Sequence, residues 1–183
     1  EAEQTTLEEL LKRYAKEVSI SKRGKDAEEV RIEQFKKTNL AKYSVASITG
    51  QMVAEWRDSR LKEVSGSTVC RDLTLLSHVF SVAIREWGIA LHSNPVSLIR
   101  KPPAGKPRDR ILTSEQRAAL VGACGQCQSP WVKPVVVFAL ETAARRGEIL
   151  ALTWRDVDLE RKVAKVSGKT GSRSIPLSPA CVS

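Results

Sequence analysis

Cysteine is scarce in this sequence. Its four residues, Cys70, Cys124, Cys127 and Cys181, are irregularly spaced in a chain of 183. Such sparse, uneven spacing does not build a disulfide scaffold of the secreted kind. Long apolar runs are missing as well. The longest, Val135 to Leu140, has six residues, whereas a membrane-spanning helix needs about 20, so a transmembrane protein is excluded. The opening EAEQTTLEEL is acidic and has no apolar centre, and no signal peptide is expected in it. There is no GxGxxG, no P-loop, no HExxH and no EF-hand loop. Gly168-Lys-Thr-Gly lacks the first glycine and the following helix that a phosphate loop requires. Internal repeats and low-complexity stretches are absent too.

What the sequence does have is positive charge, unevenly placed. The formal net charge is +9. Residues 1–99 carry 15 Lys/Arg against 14 Asp/Glu, and residues 100–183 carry 15 against 7. A basic half concentrates polyanions, and nucleic acid is the usual partner of such a surface. The plainer reading of the charge alone is a solubilising surface.

The first half reads as helices. Thr6-Leu-Glu-Glu9 is a capping-box pattern, and Leu7, Leu10, Leu11, Tyr14 and Val18 follow on one helical stripe. A polar loop over 19–26 precedes a polar helix from Asp26 to about Lys37. A third helix opens at Ile48-Thr49, with Met52, Val53 and Trp56 on one side. The fourth is the clearest. Ser67 is its expected N-cap, Val69, Leu73, Leu76, Phe80, Ala83 and Trp87 recur in steps of three and four, and Gly88 stops it. After Asn94-Pro95, residues 100–110 hold three prolines, five cationic residues and one acidic residue. Proline removes donors that interior helices and strands need, so an extended basic linker is expected there. Beyond it, Thr113-Ser-Glu-Gln116 is a second capping box, and helices are expected to about Val121, over Trp131–Thr142 and over Arg146–Trp154. Two strands, 162–167 and 173–177, flank a turn at 168–172.

Cys124-Gly-Gln-Cys127 has CxxC spacing without a second ligand pair nearby. It reads as plain thiols near a helix end rather than as zinc or redox chemistry, and no metal or cofactor is expected. The more informative stretch is Glu141-Thr-Ala-Ala-Arg-Arg-Gly-Glu148. Arg145 stands at or just before a helix start, where its planar fork and the helix N–H groups can converge on one anion. Glu148, three residues on, shares its face and can hold a functional residue in place. The bland alternative is a solvated Arg–Glu pair.

These residues carry a resemblance. Thr142-Ala-Ala-Arg145-Arg-Gly-Glu148, followed by Leu150-Ala-Leu-Thr-Trp154-Arg-Asp156, resembles the first catalytic box of the tyrosine recombinases, the phage integrase family. Val166-Ser-Gly-Lys169-Thr-Gly-Ser-Arg173-Ser-Ile-Pro-Leu177 is similar to that family's β-hairpin with its catalytic lysine. Trp56-Arg57, Val64 to Arg71, Leu76 to Phe80 and Asn94-Pro95 follow the layout of its core-binding domain. The likeness covers roughly residues 45–183 (residues 1–44 match only in helical character). It implies a mainly α fold, with a SAM-like helical core-binding bundle over 1–99, the basic linker over 100–110, and over 111–183 the front part of an α/β catalytic domain with a short antiparallel hairpin.

The resemblance also implies roles. Arg145 would grip the scissile phosphate, Lys169 would protonate the leaving 5′ oxygen, and Glu148 would support them. Fixed cations stabilise the charge that develops on the phosphate without a metal. Arg71, Lys101, Lys106, Arg108, Arg110 and Arg173 are the candidate contacts to double-stranded DNA. Family members close the two modules into a C-shaped clamp on DNA and assemble there as tetramers, and a monomer is expected for this chain in isolation. The setting would be the bacterial cytoplasm, at the nucleoid, for a bacterial or phage-encoded protein.

In one position the sequence departs from the family pattern, because Ala143 stands where glycine is usual. The family's His-x-x-Arg box, its further His or Trp and its tyrosine nucleophile have no counterpart after Lys169. The only tyrosines are Tyr14 and Tyr43, and the only histidines are His78 and His92. The expectation is a C-terminally truncated recombinase that binds DNA and does not cleave it. A non-catalytic DNA-binding regulator of degenerate recombinase fold is the alternative.

Overall fold

Thr6 opens the first helix in the computed structural model, which describes residues 2–103, 105, 109–168 and 171–182. The Thr6 N–H donates to Glu9 Oε2 at 2.8 Å, and the Glu9 N–H donates to Thr6 Oγ1 at 3.3 Å. Helix α1 (Leu7–Glu17) follows, with Leu7, Leu10, Leu11 and Tyr14 buried along the predicted stripe. The polar helix is α2 (Lys25–Lys36), which buries only Ile32 and Phe35. Thr49 caps α3 (Gly50–Leu61), accepting from the Met52 N–H.

Helix α4 (Gly66–Arg85) is the axis of this half. Val69, Leu73, Leu76, Phe80 and Ala83 are fully buried, as their spacing requires. Burying each Leu or Phe contributes about 1.5–3 kcal/mol, so this one face outweighs the rest of the helix. The N-cap is Ser65 rather than the expected Ser67. Ser65 Oγ accepts from the Thr68 N–H at 3.4 Å, while Ser67 Oγ accepts from the Gly105 N–H at 3.4 Å. The helix ends before Trp87, whose ring lies 4.3 Å from the Arg13 guanidinium carbon, and Gly88 turns the chain with φ +65°.

Two polar networks sit among these helices. Lys22 Nζ donates to the Tyr14 hydroxyl at 2.6 Å and to Glu28 Oε1 at 2.8 Å, and the same hydroxyl lies 2.6 Å from His78 Nδ1. Asp72, on α4, is buried with Arg31 Nε at 3.7 Å and Arg60 Nε at 3.6 Å. Burial pushes the Asp72 carboxyl up, against the pull of the two guanidinium groups.

The chain divides into two compact units, Glu1–Pro107 and Arg108–Ser183. The first therefore takes in part of the stretch expected as a free linker. Its backbone polar groups explain why. Arg57 Nη1 donates to the Arg100 carbonyl at 2.7 Å, and the Cys70 thiol donates to the Pro102 carbonyl at 3.3 Å. Residues 100–103 lack regular structure, as their prolines require, and are held against α3 and α4.

In the second unit, α5 (Ser114–Cys124) starts on the predicted Thr113–Gln116 capping box, and α6 (Val132–Thr142) follows. Helix α7 (Arg146–Leu150) is shorter than predicted. The Thr153 N–H and hydroxyl both donate to Asp156 Oδ2, at 3.1 and 2.6 Å, which closes a separate 3₁₀ turn at Trp154–Asp156. Strands β1 (Val157–Asp158), β2 (Val163–Gly168) and β3 (Gly171–Pro176) form one antiparallel sheet in that order. The hairpin is tighter than the expected turn at 168–172. Pairing continues through Ser167↔Ser172, whose hydroxyls lie 2.8 Å apart, to Gly168↔Gly171. Ala164, Val166, Ile175 and Leu177 face a small core with Phe138, Ile149 and Leu152. A short helix, α8 (Pro179–Val182), follows. No helix of the described residues is long and apolar enough to cross a membrane.

Candidate active site

The site begins where α6 stops. Ala143 takes left-handed backbone angles, φ 52° and ψ 23°, and its N–H still donates to the Ala139 carbonyl. This is the position at which the family pattern has glycine, and the conformation accounts for the preference, since a Cβ is crowded there. The turn leaves Arg145 extended, at φ −70° and ψ 146°, as the N-cap of α7.

Arg145 and Glu148 then meet through two bonds. The Arg145 N–H donates to Glu148 Oε2 and Arg145 Nη1 donates to Oε1, both at 2.9 Å. The Arg145 side chain is 70% exposed, whereas that of Glu148 is 3% exposed. A buried carboxylate thus anchors an arginine whose guanidinium still reaches solvent. The solvated pair considered from sequence does not describe this arrangement.

A third residue completes the cluster. Arg173 Nη1 donates to Glu148 Oε1 at 2.8 Å and Nη2 donates to Oε2 at 2.9 Å. The carboxylate therefore accepts four hydrogen bonds, which uses its full capacity. The Arg173 fork above all, and then the Arg145 backbone N–H, hold the Glu148 carboxyl down at about 2. The same contact pushes the Arg173 guanidinium up.

Strand phase explains how Arg173 arrives there. Successive side chains of a strand alternate between faces. Ala164, Val166 and Gly168 share one face of β2, and Arg173, Ile175 and Leu177 share the matching face. On that face Gly168, which pairs with Gly171 at the tip, and Arg173, which pairs with Val166, both lie beside Glu148. A Cβ added at Gly168 would lie 2.6 Å from Glu148 Oε1. The sequence signal was an arginine in phase with buried Ile175 and Leu177, which calls for a buried acid. Arg173, expected among the DNA contacts, has its fork on Glu148 while its side chain stays 42% exposed.

The other expected site residues are more scattered. Lys169, Lys106 and Arg108 lie outside the described residues. Arg71 is exposed on α4 and borders a hollow of about 410 Å³ with Lys22, Arg31 and His78. Lys101 and Arg110 are exposed. Arg57, which was not singled out as a site residue, borders a hollow of about 470 Å³ with Lys101. Cys124 is buried and Cys127 exposed, both as free thiols.

The phage integrase family profile matches residues 110–183. The chain is also 38% identical over 183 residues to the shufflon-specific DNA recombinase of Escherichia coli, an alignment covering 94% of this chain and 47% of that protein. The chain belongs to the phage integrase family, the tyrosine recombinases. It spans about half the length of that relative. Solved structures share its fold. A lambda integrase dimer bound to a COC′ core site matches with a TM-score of 0.79 at 22% identity, over 94% of this chain and 49% of that one. The Tn1549 transposon integrase in complex with circular intermediate DNA matches with a TM-score of 0.77 at 19% identity, over 98% and 62%.

Proposed function

We propose that this chain is the DNA-binding and partial catalytic portion of a site-specific DNA recombinase or integrase. The observation that carries the reading is an exposed Arg145 fixed by a buried, ionised Glu148 at the start of α7. A cation held in this way stabilises charge on a phosphate with little reorganisation. In this reading Arg145 grips the scissile phosphate, and Lys169, next in sequence after Gly168, gives its proton to the leaving 5′ oxygen. The helical unit over 1–99 and the basic stretch over 100–110 bind the duplex backbone, through Arg71, Lys101, Lys106, Arg108 and Arg110. Residues 111–183 are the front of the catalytic domain.

Within these residues the two tyrosines are Tyr14 and Tyr43, and Tyr14 is wholly buried. In this reading the chain by itself binds DNA without forming a phosphotyrosine. It is a monomer in isolation, with tetramers on DNA reserved for the full-length protein, in a bacterial or phage-infected cytoplasm. The position of the tyrosines also favours a second reading, a DNA-binding regulator that shares the fold. A cleavage assay on the full gene product separates the two.

Fluorescence anisotropy on a labelled duplex tests the common part. With about six phosphates neutralised, log affinity falls against log salt with a slope of about −5. A flat salt dependence removes DNA as the partner.

A further inference from the structure

We propose that Arg173 is a positioning residue, which with Gly168 locks the Glu148 carboxylate between the hairpin and α7 and so keeps Arg145 available to phosphate. This rests on the reading of Arg145 as the phosphate-binding residue, and it takes Arg173 out of the set of direct DNA contacts.

Charge supplies the first reason. Arg145 and Glu148 alone form a neutral pair, which has little attraction for a phosphate. With Arg173 on the same carboxylate, two guanidinium groups share one negative charge and the cluster carries a net positive one. The Arg173 fork takes up one lone pair on each oxygen. It thereby limits Glu148 to two bonds with Arg145, one from the backbone and one from Nη1. The rest of the exposed Arg145 fork stays available to an anion.

Geometry supplies the second. Glu148 stands on α7, Gly168 ends β2 and Arg173 lies on β3. The carboxylate therefore spans two elements of the same unit. It can come this close to β2 only because residue 168 has no side chain, as the 2.6 Å approach of a built Cβ to Oε1 shows. Gly168 directly precedes Lys169 in sequence, so the strand end that leads into the lysine is the one tied to the arginine-bearing helix.

The test uses the 183-residue protein and a labelled 30-base-pair duplex, with anisotropy read for Arg173→Lys, Arg173→Ala, Glu148→Gln, the Arg173→Ala/Glu148→Gln pair and Arg145→Ala. A lysine keeps the charge of a phosphate contact but cannot reproduce the fork. Positioning therefore predicts that Arg173→Lys and Arg173→Ala both weaken binding by about tenfold, and that Arg173→Ala costs almost nothing further once Glu148 is Gln. Near-normal binding by Arg173→Lys, or equal losses from Arg173→Ala in both backgrounds, overturns the proposal in favour of a direct contact.

The ¹³C titration of the Glu148 carboxyl gives a readout independent of DNA. It moves up in Arg173→Lys if the tie exists, and an unmoved titration overturns the proposal. Should Arg173→Lys fail to fold, Gly168→Ala replaces it. That change removes no charge and still weakens binding if the carboxylate has to move, whereas unchanged binding counts against the proposal. If Arg145→Ala leaves affinity untouched, the phosphate-binding reading fails, and the carboxyl titration still decides whether Arg173 sets the state of Glu148.

Discussion

Arg145 lends Glu148 both a backbone N–H and a guanidinium N–H, each at 2.9 Å. The second bond aims the side chain, and the first ties that aim to the start of α7. Lysine can supply the charge but not this planar geometry. Arg145→Lys is therefore expected to keep the fold and lose most of the affinity that Arg145→Ala loses. Salt titrations by anisotropy check this. Arg145→Ala should flatten the log–log slope by about 1, the share of a single phosphate, and Arg145→Lys by less.

Acid should loosen the second unit. The Glu148 carboxyl sits at about 2 in the fold, below its ordinary 4.5. A depressed carboxyl contributes stability that is complete above pH 4.5 and is lost as pH falls from there towards 2. Denaturant midpoints of the wild type and Glu148→Gln should therefore differ most at neutral pH and converge in acid. A gap that does not change with pH would show that the carboxylate's ionisation is not what stabilises the unit.

Ala143→Gly should stabilise the protein. A non-glycine residue at φ 52° strains its Cβ, and glycine relieves this at a helix end that favours it. The expected gain is about 1 kcal/mol after glycine's greater freedom in the unfolded chain is subtracted. Thermal denaturation followed by circular dichroism measures it, and a lower midpoint would contradict the prediction.

Asp72 carries the opposite sign to Glu148. Its carboxyl is pushed up from 3.8 by burial, despite Arg60 and Arg31. Ionised Asp72 is thus unfavourable in the fold wherever pH exceeds its folded value, and that penalty vanishes below 3.8. Asp72→Asn should raise the denaturation midpoint at pH 7, with the gain gone by pH 3. A loss at pH 7 would mean that the two guanidinium groups depend on the carboxylate more than burial penalises it.

Much of this was legible in the sequence, for reasons particular to each element. The α4 face could be read because apolar residues at steps of three and four have one way to be buried. The Thr6 and Thr113 capping boxes could be read because their partners lie three residues apart. The length of α7 could not, since Thr153 and Asp156 close a turn that competes with the helix. The cap of α4 could not either, because Ser65 and Ser67 are equally suited and only the fold brings Gly105 to the second. At the site, Arg145 and Glu148 were visible as one local motif. The tie between Arg173 and Glu148 was not legible in the same way, because the two lie 25 positions apart and only strand pairing brings them together.

The Tyr14 hydroxyl, shared with Lys22 and His78, ties three segments of the chain together. An ammonium group can only donate, so the phenol oxygen receives from Lys22. Burial holds the phenol up against ionisation, and His78 Nδ1 lies 2.6 Å from the same oxygen. One oxygen thus joins α1, the segment ahead of α2 and α4, and Tyr14→Phe would leave Lys22 and His78 without that shared partner.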